Sequence, residues 1–382
     1  MMAQQQSEHE VFQQMLDGLY RNAKESDPLQ KVKDKAWERF LVLGLPTRAN
    51  EVYKYIKVKT LLSNTFVAAT STLPSADVVQ SHLLPGCEGA CLVFVNGEFS
   101  PTLSTTTALP SNVVVMPLSR AMRTYGTFLN NQWTKTISEE KDAFVSLNYA
   151  LAGDGLFLYV PPKTVIDTPI QILHLIDAKE EKMLLLPRIQ LFVGAQSQMD
   201  LYQTHIPLSG SGYFVNQTAD FAVEDNSHVR YTQVAMDLPK DAWLFDAVRG
   251  SCKGNSTIKT ISVTDGALTV RNDYQLALLG ENSEVELDGV WMLSEAREAH
   301  AHVLVDHQAP HCRSRQLFKG VLRDSSRSSF EGKILVRQAA QKTDAFQLNN
   351  NLLMSPTAHA DSKPNLEIFA DDVKASHGAT FG

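Results

Sequence analysis

Apolar positions recur along this chain with two different periods. Near the N-terminus the period is helical: Val11, Phe12, Met15, Leu16, Leu19 and Tyr20 fall at three- and four-residue spacing and predict one amphipathic helix. Asp27-Pro28 reads as an N-cap followed by proline at the first helical position. It opens a second helix with Val32, Ala36, Trp37, Phe40 and Leu41 on one side, and Gly44-Leu45-Pro46 stops it. A third short helix is expected from Thr47 through Tyr55. Residues 1–60 are therefore expected as a helical domain. From about Leu61 the pattern changes to Val, Thr, Ser and Leu punctuated by proline and glycine, and residues 61–150 read as a mixed connecting region of unassigned topology. From about 150 to 382 the period is two, which predicts strands almost throughout.

The strand region repeats. Val193-Gly-Ala-Gln-Ser197-Gln-Met-Asp-Leu201, Val223-Glu-Asp-Asn-Ser227-His-Val-Arg-Tyr231 and Leu279-Gly-Glu-Asn-Ser283-Glu-Val-Glu-Leu287 each join an apolar strand end, a polar turn with a serine and a new alternating strand. A further copy surrounds Ser256, so the serines are spaced by 30, 29 and 27 residues, with looser echoes at Ser314 and Thr343. A period near 30 without intervening helices is the mark of a β-solenoid, whose coils bury their apolar faces only by stacking. Evenly spaced strands also occur in antiparallel sandwiches. The repetition of the turn chemistry itself favours the solenoid.

Composition narrows the function classes. A net charge of −7 gives no basic surface for nucleic acid. Four scattered cysteines, Cys87, Cys91, Cys252 and Cys312, fit a reducing compartment rather than a disulfide scaffold. The N-terminus has no basic and apolar signal pattern, and no run approaches a membrane span. Cytoplasm is the expected location.

Candidate chemistry gathers at the end of the chain. Leu366, Ile368 and Ala370 alternate on one strand face, Asp371-Asp372 marks a corner, and Val373, Ala375 and His377 share a face of the next strand. The stretch His300, His302, His307, His311, Cys312 lacks a recognisable metal-ligand pattern, and packing is the expected role of His307. Cys87-x-x-x-Cys91 has no second half for zinc. No phosphate-cradling G-x-x-x-x-G-K-[ST] occurs.

Several of these segments carry a resemblance. Val305-Asp-His307, Ser314-Arg-Gln-Leu-Phe-Lys319-Gly, Phe330-Glu-Gly332, Gln341-Lys-Thr-Asp344, Asn349-Asn-Asn-Leu-Leu-Met354 and the closing Asn365–Gly382 segment, taken in order, resemble the SufB/SufD family, the scaffold proteins of SUF iron–sulfur cluster assembly. The resemblance implies a right-handed parallel β-helix and a non-catalytic scaffold that pairs with SufB, with ATP hydrolysis supplied by SufC. It implies that Leu366, Ile368, Val373, Ala375 and His377 face the partner. His377 would help hold transient iron or a nascent cluster, with nothing bound tightly by the isolated chain. Many members have cysteine where Ala375 stands, so this chain is SufD-like and any thiolate there would come from the partner. A homodimer is also compatible with such an interface. Family members continue into a helical C-terminal domain that docks SufC. The chain stops at Gly382, so the expectation is a truncated chain, which puts SufC binding in doubt. The competing classes are a parallel β-helix polysaccharide enzyme and a purely structural, self-associating solenoid.

Overall fold

The computed structural model describes residues 2–22, 29–70, 72–179 and 182–382. Two sheets run the length of its β region. From Arg188 onward, successive strands alternate between them. Tyr213–Val223, Trp243–Cys252, Thr269–Leu278, Glu298–His307, Arg327–Val336 and His359–Ile368 follow Arg188–Val193 in the first sheet. Gln198–Pro207, His228–Ala235, Thr257–Thr264, Glu284–Leu293, Arg313–Leu322, Thr343–Leu353 and Val373–Phe381 form the second. Neighbours along each sheet pair in parallel. This is the solenoid, and parallel pairing rules out the sandwich. Among the described residues, antiparallel strand pairs occur at the start, where Cys91–Val95 meets Glu98–Thr105 and Val114–Pro117 meets Leu156–Val160, and a single antiparallel bridge joins Ala267 to Glu298.

The repeating turn explains how one sequence rhythm makes identical corners. Gln196, Asn226, Asn255, Asn282, His311 and Lys342 all have positive φ, between 52° and 62°. Asparagine tolerates that left-handed conformation better than most residues, hence its recurrence. Each donates its backbone N–H to a carbonyl of the next coil, as Asn226 does to Gly254 at 2.8 Å and Asn255 to Glu281 at 2.9 Å. The next position turns inward: Ser197, Ser227, Ser256 and Ser283 are fully buried, with hydroxyls donating to turn carbonyls such as Gly194, Lys253 and Gly280. The register continues through Cys312 and Thr343. Ser314, expected from the sequence as an echo of this column, instead pairs with Val285 two positions on. Cys312 takes the serine's place, its Sγ 3.2 Å from the Ser283 hydroxyl, because a buried thiol is a small, weakly polar substitute for a hydroxyl.

Between the sheets lies an apolar core that includes Leu191, Phe221, Val229, Ile258, Leu287, Val303 and Phe318. A second core covers the outer face of the first sheet. Helices Met2–Asn22, Gln30–Leu43, Leu118–Glu139 and Ala143–Leu151 pack there, and Phe144 meets Phe214 and Phe245 edge-on at 5.6 Å and 5.2 Å. Phe12, Leu16 and Tyr20 are buried as expected, as are Val32, Ala36, Trp37 and Phe40, while Val11 and Leu41 lie at the stripe edges and are exposed. The expected cap at Asp27-Pro28 lies outside the described residues. The expected helix from Thr47 through Tyr55 is reduced to one 3₁₀ turn, Glu51–Tyr53, and a short helix follows at Val58–Leu62. The turn is held from outside: the Tyr53 hydroxyl donates to Asp142 at 2.7 Å, which fixes Tyr53 by tertiary contact rather than helical continuity.

Candidate functional site

The last two strands end both sheets. Among the described residues His359–Ile368 pairs only with Arg327–Val336, and Val373–Phe381 only with Thr343–Leu353. Each therefore has one unsatisfied edge. In Val373–Phe381 the alternation can be fixed from one residue: Gly382 donates to the Asn351 carbonyl at 3.0 Å and accepts from the Leu353 N–H at 2.7 Å. Even-numbered residues of this strand thus face the existing ladder. The N–H and C=O groups of Val373, Ala375, His377 and Ala379 face outward. In His359–Ile368 the parity is opposite, since His359 donates to Ser326 at 3.0 Å and Phe369 to Val336 at 2.9 Å. Pro364 falls at an outward position, where the missing N–H breaks no internal bond.

Side chains at the five sequence-predicted positions come together at this open end. Val373, Ala375 and Leu366 are half-buried and pack on Ile334, Val336, Ala340, Ala345 and Ala370 between the sheets. Ile368 is 37 % exposed. His377 follows Ala375 on the same strand face and is exposed. Below it, in register, lie Gln347 and then Gln316, both fully buried. Phe381, Leu352 and Met354 are exposed apolar residues near one end of the terminal strand, and Ile368 and Phe369 lie near the other. The Asp371-Asp372 corner is structural: Asp372 pairs with Lys342, and its N–H donates to the Gln341 side chain at 3.0 Å.

His307 and His300 are engaged elsewhere. His307 is buried with Nε2 2.8 Å from the Ser314 hydroxyl, and burial pushes its pKa down to about 4. It packs, as expected. His300 Nδ1 lies 2.7 Å from the Ser329 hydroxyl, and its Nε2 faces Glu298, which pairs with Lys57 at 2.8 Å. Among the described residues no three His, Cys, Asp or Glu side chains stand close enough to hold a metal ion. The four cysteines are buried and unpaired. Burial raises the Cys91 and Cys252 thiols to about 12, so neither is poised as a thiolate.

Two buried polar clusters were not anticipated. One joins the helices to the first sheet: Arg249 reaches Glu140 and Asp273 at 2.8 Å each, and Arg271 reaches Asp142 at 2.9 Å and also pairs with Asp273. Burial opposes ionisation of Asp273, yet Arg249 and Arg271 hold its carboxyl well below the ordinary range. The signal was present as charged residues inside strand-like runs, Arg249 and Arg271-Asn-Asp273. The other cluster lies inside the solenoid. Gln203, Gln217 and Gln233 donate to Asp246 at 2.6, 3.0 and 2.8 Å, and burial raises that carboxyl to about 6. Nearby His174 and His205 stack at 4.6 Å, and burial lowers His205 to about 4.

Comparison with known proteins agrees with this architecture. Residues 174–382 match the model described as SUF system FeS cluster assembly, SufBD core domain, and residues 2–172 match the SufBD protein N-terminal region. A SufBD family iron–sulfur cluster assembly protein of Synechocystis is 28% identical over 88% of this chain and 76% of its own length. SufD of Escherichia coli is 27% identical over 90% of this chain and 78% of its own. The chloroplastic protein ABCI7 of Arabidopsis thaliana is 26% identical over 97% and 78%. With the core model matched over the parallel solenoid and the N-terminal model over the region before it, the chain belongs to the SufBD family of iron–sulfur cluster assembly proteins.

Proposed function

We propose that this chain is a SufD-like, non-catalytic scaffold subunit that pairs with a SufB-type chain through its terminal coil and supports iron acquisition and cluster assembly at that junction. The observation that carries the reading is the unpaired edge of Val373–Phe381 with His377 on its lumen-facing side. A second solenoid can add its own strand there and gain backbone hydrogen bonds. The exposed Phe381, Leu352, Met354, Ile368 and Phe369 supply apolar contact on both flanks of the edge. Pro364 interrupts the other edge, so the second sheet offers the longer run of free groups.

His377 then lies at the junction, where a neutral imidazole can take iron. Ala375, two residues before it on the same face, offers no sulfur, so a cluster at this place draws its thiolate from the SufB side. Iron is cargo in this reading, held only in the assembled pair, and ATP hydrolysis belongs to SufC. The test is co-purification with SufB followed by iron and sulfide analysis. His377→Ala is expected to lower iron loading more than it lowers complex stability. Equal losses of both would leave His377 a packing residue. Ala375→Pro removes an outward N–H without breaking the ladder to Thr343–Leu353. It is expected to weaken SufB binding at least tenfold while the thermal midpoint of the isolated chain changes little. Unchanged SufB affinity would exclude this edge as the docking site.

A further inference from the structure

Between Pro46 and Thr60 the chain carries Arg48, Lys54, Lys57 and Lys59 against the single carboxylate Glu51, in a protein whose net charge is −7. Arg48, Lys57 and Lys59 line one cleft of about 380 Å³, together with His9 from helix Met2–Asn22 and Thr60 from helix Val58–Leu62. Pro46 and Val58, both buried, give the cleft an apolar wall. Glu51 does not line it and pairs instead with Lys363.

The backbone holds these groups in place. The Thr47 N–H donates to the Asn50 side chain at 2.8 Å, and the Asn50 N–H donates to the Thr47 carbonyl at 3.0 Å. The Tyr53 N–H donates to the Asn50 carbonyl at 2.9 Å, and Tyr53 is itself anchored on Asp142. Arg48 thus stands at the tip of a closed turn. Its side chain is exposed and, among the described residues, has no ion-pair or hydrogen-bond partner. Lys57 is tied to the solenoid by its 2.8 Å pair with Glu298, whose side chain is 1% exposed, while a third of the Lys57 side chain remains open to solvent.

A cleft of this size suits a small molecule. The guanidinium of Arg48 presents a planar fork of donors that matches an oxyanion in a bidentate pair. A monocarboxylate is satisfied by that fork alone. A ligand that also reaches Lys57, Lys59 and His9, which come from two other segments, has to carry several oxyanion charges, and the Thr60 hydroxyl adds a neutral donor. We propose that this cleft binds the oligophosphate group of a small molecule, such as pyrophosphate or a nucleoside diphosphate. No glycine-rich phosphate loop is involved, so recognition comes from side-chain cations. The site is independent of the terminal coil and of any pairing with SufB.

Calorimetric titration of the full chain with inorganic pyrophosphate alone tests the site. Saturable binding is expected. Arg48→Glu is expected to weaken it by about tenfold or more, with the thermal midpoint of the free protein unchanged because Arg48 holds no protein group. Lys135→Glu makes the same charge change at an exposed lysine outside the cleft and is expected to bind like the parent. Absence of saturable binding overturns the proposal. Equal weakening by both variants overturns it as well, since the attraction is then the general field of the protein. Tighter binding of a tetraglutamate peptide than of pyrophosphate also overturns it, and makes the cleft a dock for an acidic protein segment.

Discussion

At the residue scale the buried titratable groups set the behaviour of this protein with pH. His205 and His307 are depressed to about 4 by burial, and His174 lies well below its ordinary value for the same reason with His205 beside it. In the unfolded chain each titrates near 6.5. Their contribution to stability is therefore complete above about 6.5 and is lost as pH falls toward the folded values. Asp246 works in the opposite sense: raised to about 6, it contributes most below its unfolded value near 3.8 and loses that contribution as pH rises through 6. The three histidines give a loss on acidification, roughly 3 kcal/mol from each of His205 and His307 at most, and Asp246 together with Asp220, also raised by burial, works against it. Urea midpoints should fall from pH 7 to pH 5, and His205→Phe should flatten that slope. A midpoint that rises over this range would mean that the raised carboxyls, Asp246 and Asp220, dominate. Arg249 makes a second residue-scale prediction. Arg249→Met leaves Glu140 and Asp273 buried without that cation and should cost about 3–5 kcal/mol in urea unfolding, far more than loss of an exposed pair such as Lys240–Glu295.

At the scale of elements, the sequence was legible where one rule decided the outcome. The serine period found the corners because each corner needs a residue in the same left-handed conformation followed by a small inward group. The reading slipped from Cys312 to Ser314 because a search for hydroxyls passes over a thiol that fills the same space. The connecting region was opaque for a different reason. Cys91–Val95 is buried at every position, and Ala143–Leu151 is buried on all sides between sheet and helices, so neither displays an amphipathic period. The start of Ala143–Leu151 is held instead by Asp142, which accepts from the Phe144 and Val145 N–H groups at 2.9 and 3.2 Å. The corner rule can be checked at Asn255, whose φ is 52°. Asn255→Val should cost about 1–2 kcal/mol, since a β-branched side chain resists the left-handed region, while Asn255→Gly should cost only a fraction of that. If both substitutions cost the same, the Asn255 side chain rather than its backbone conformation holds the corner.

At the scale of the whole molecule, the solenoid is stabilised unevenly. Interior coils have a neighbour on each side and share the long apolar core, whereas the terminal coil rests on a small cluster around Ile334, Val336 and Ala345. In a stacked repeat, stability is close to a sum of coil and neighbour-interface contributions, so a coil lacking one neighbour is the first to open. The helices that brace the other end of the first sheet do not reach this one: their core involves Phe214, Trp243 and Phe245 but no residue beyond Leu268. Lys363, which pairs with Glu51 and Glu331, is a tie at the surface, and a partly exposed ion pair adds little. The place where the sequence puts its densest family resemblance is therefore also where the fold is least secured by itself. In the proposed reading this edge gains its missing neighbour from another chain. Amide hydrogen exchange gives the decisive measurement. In the isolated chain, His359–Ile368 and Val373–Phe381 should exchange fastest among the strands of the second half, and interior strands such as Thr269–Leu278 and Glu284–Leu293 slowest. Addition of SufB should slow Ala375, His377 and Ala379, whose N–H groups face outward, more than Lys374, Ser376 and Gly378, whose N–H groups already face Thr343–Leu353. Equal protection of both sets would mean that the coil is merely stiffened, and protection of neither would mean that SufB docks on another surface.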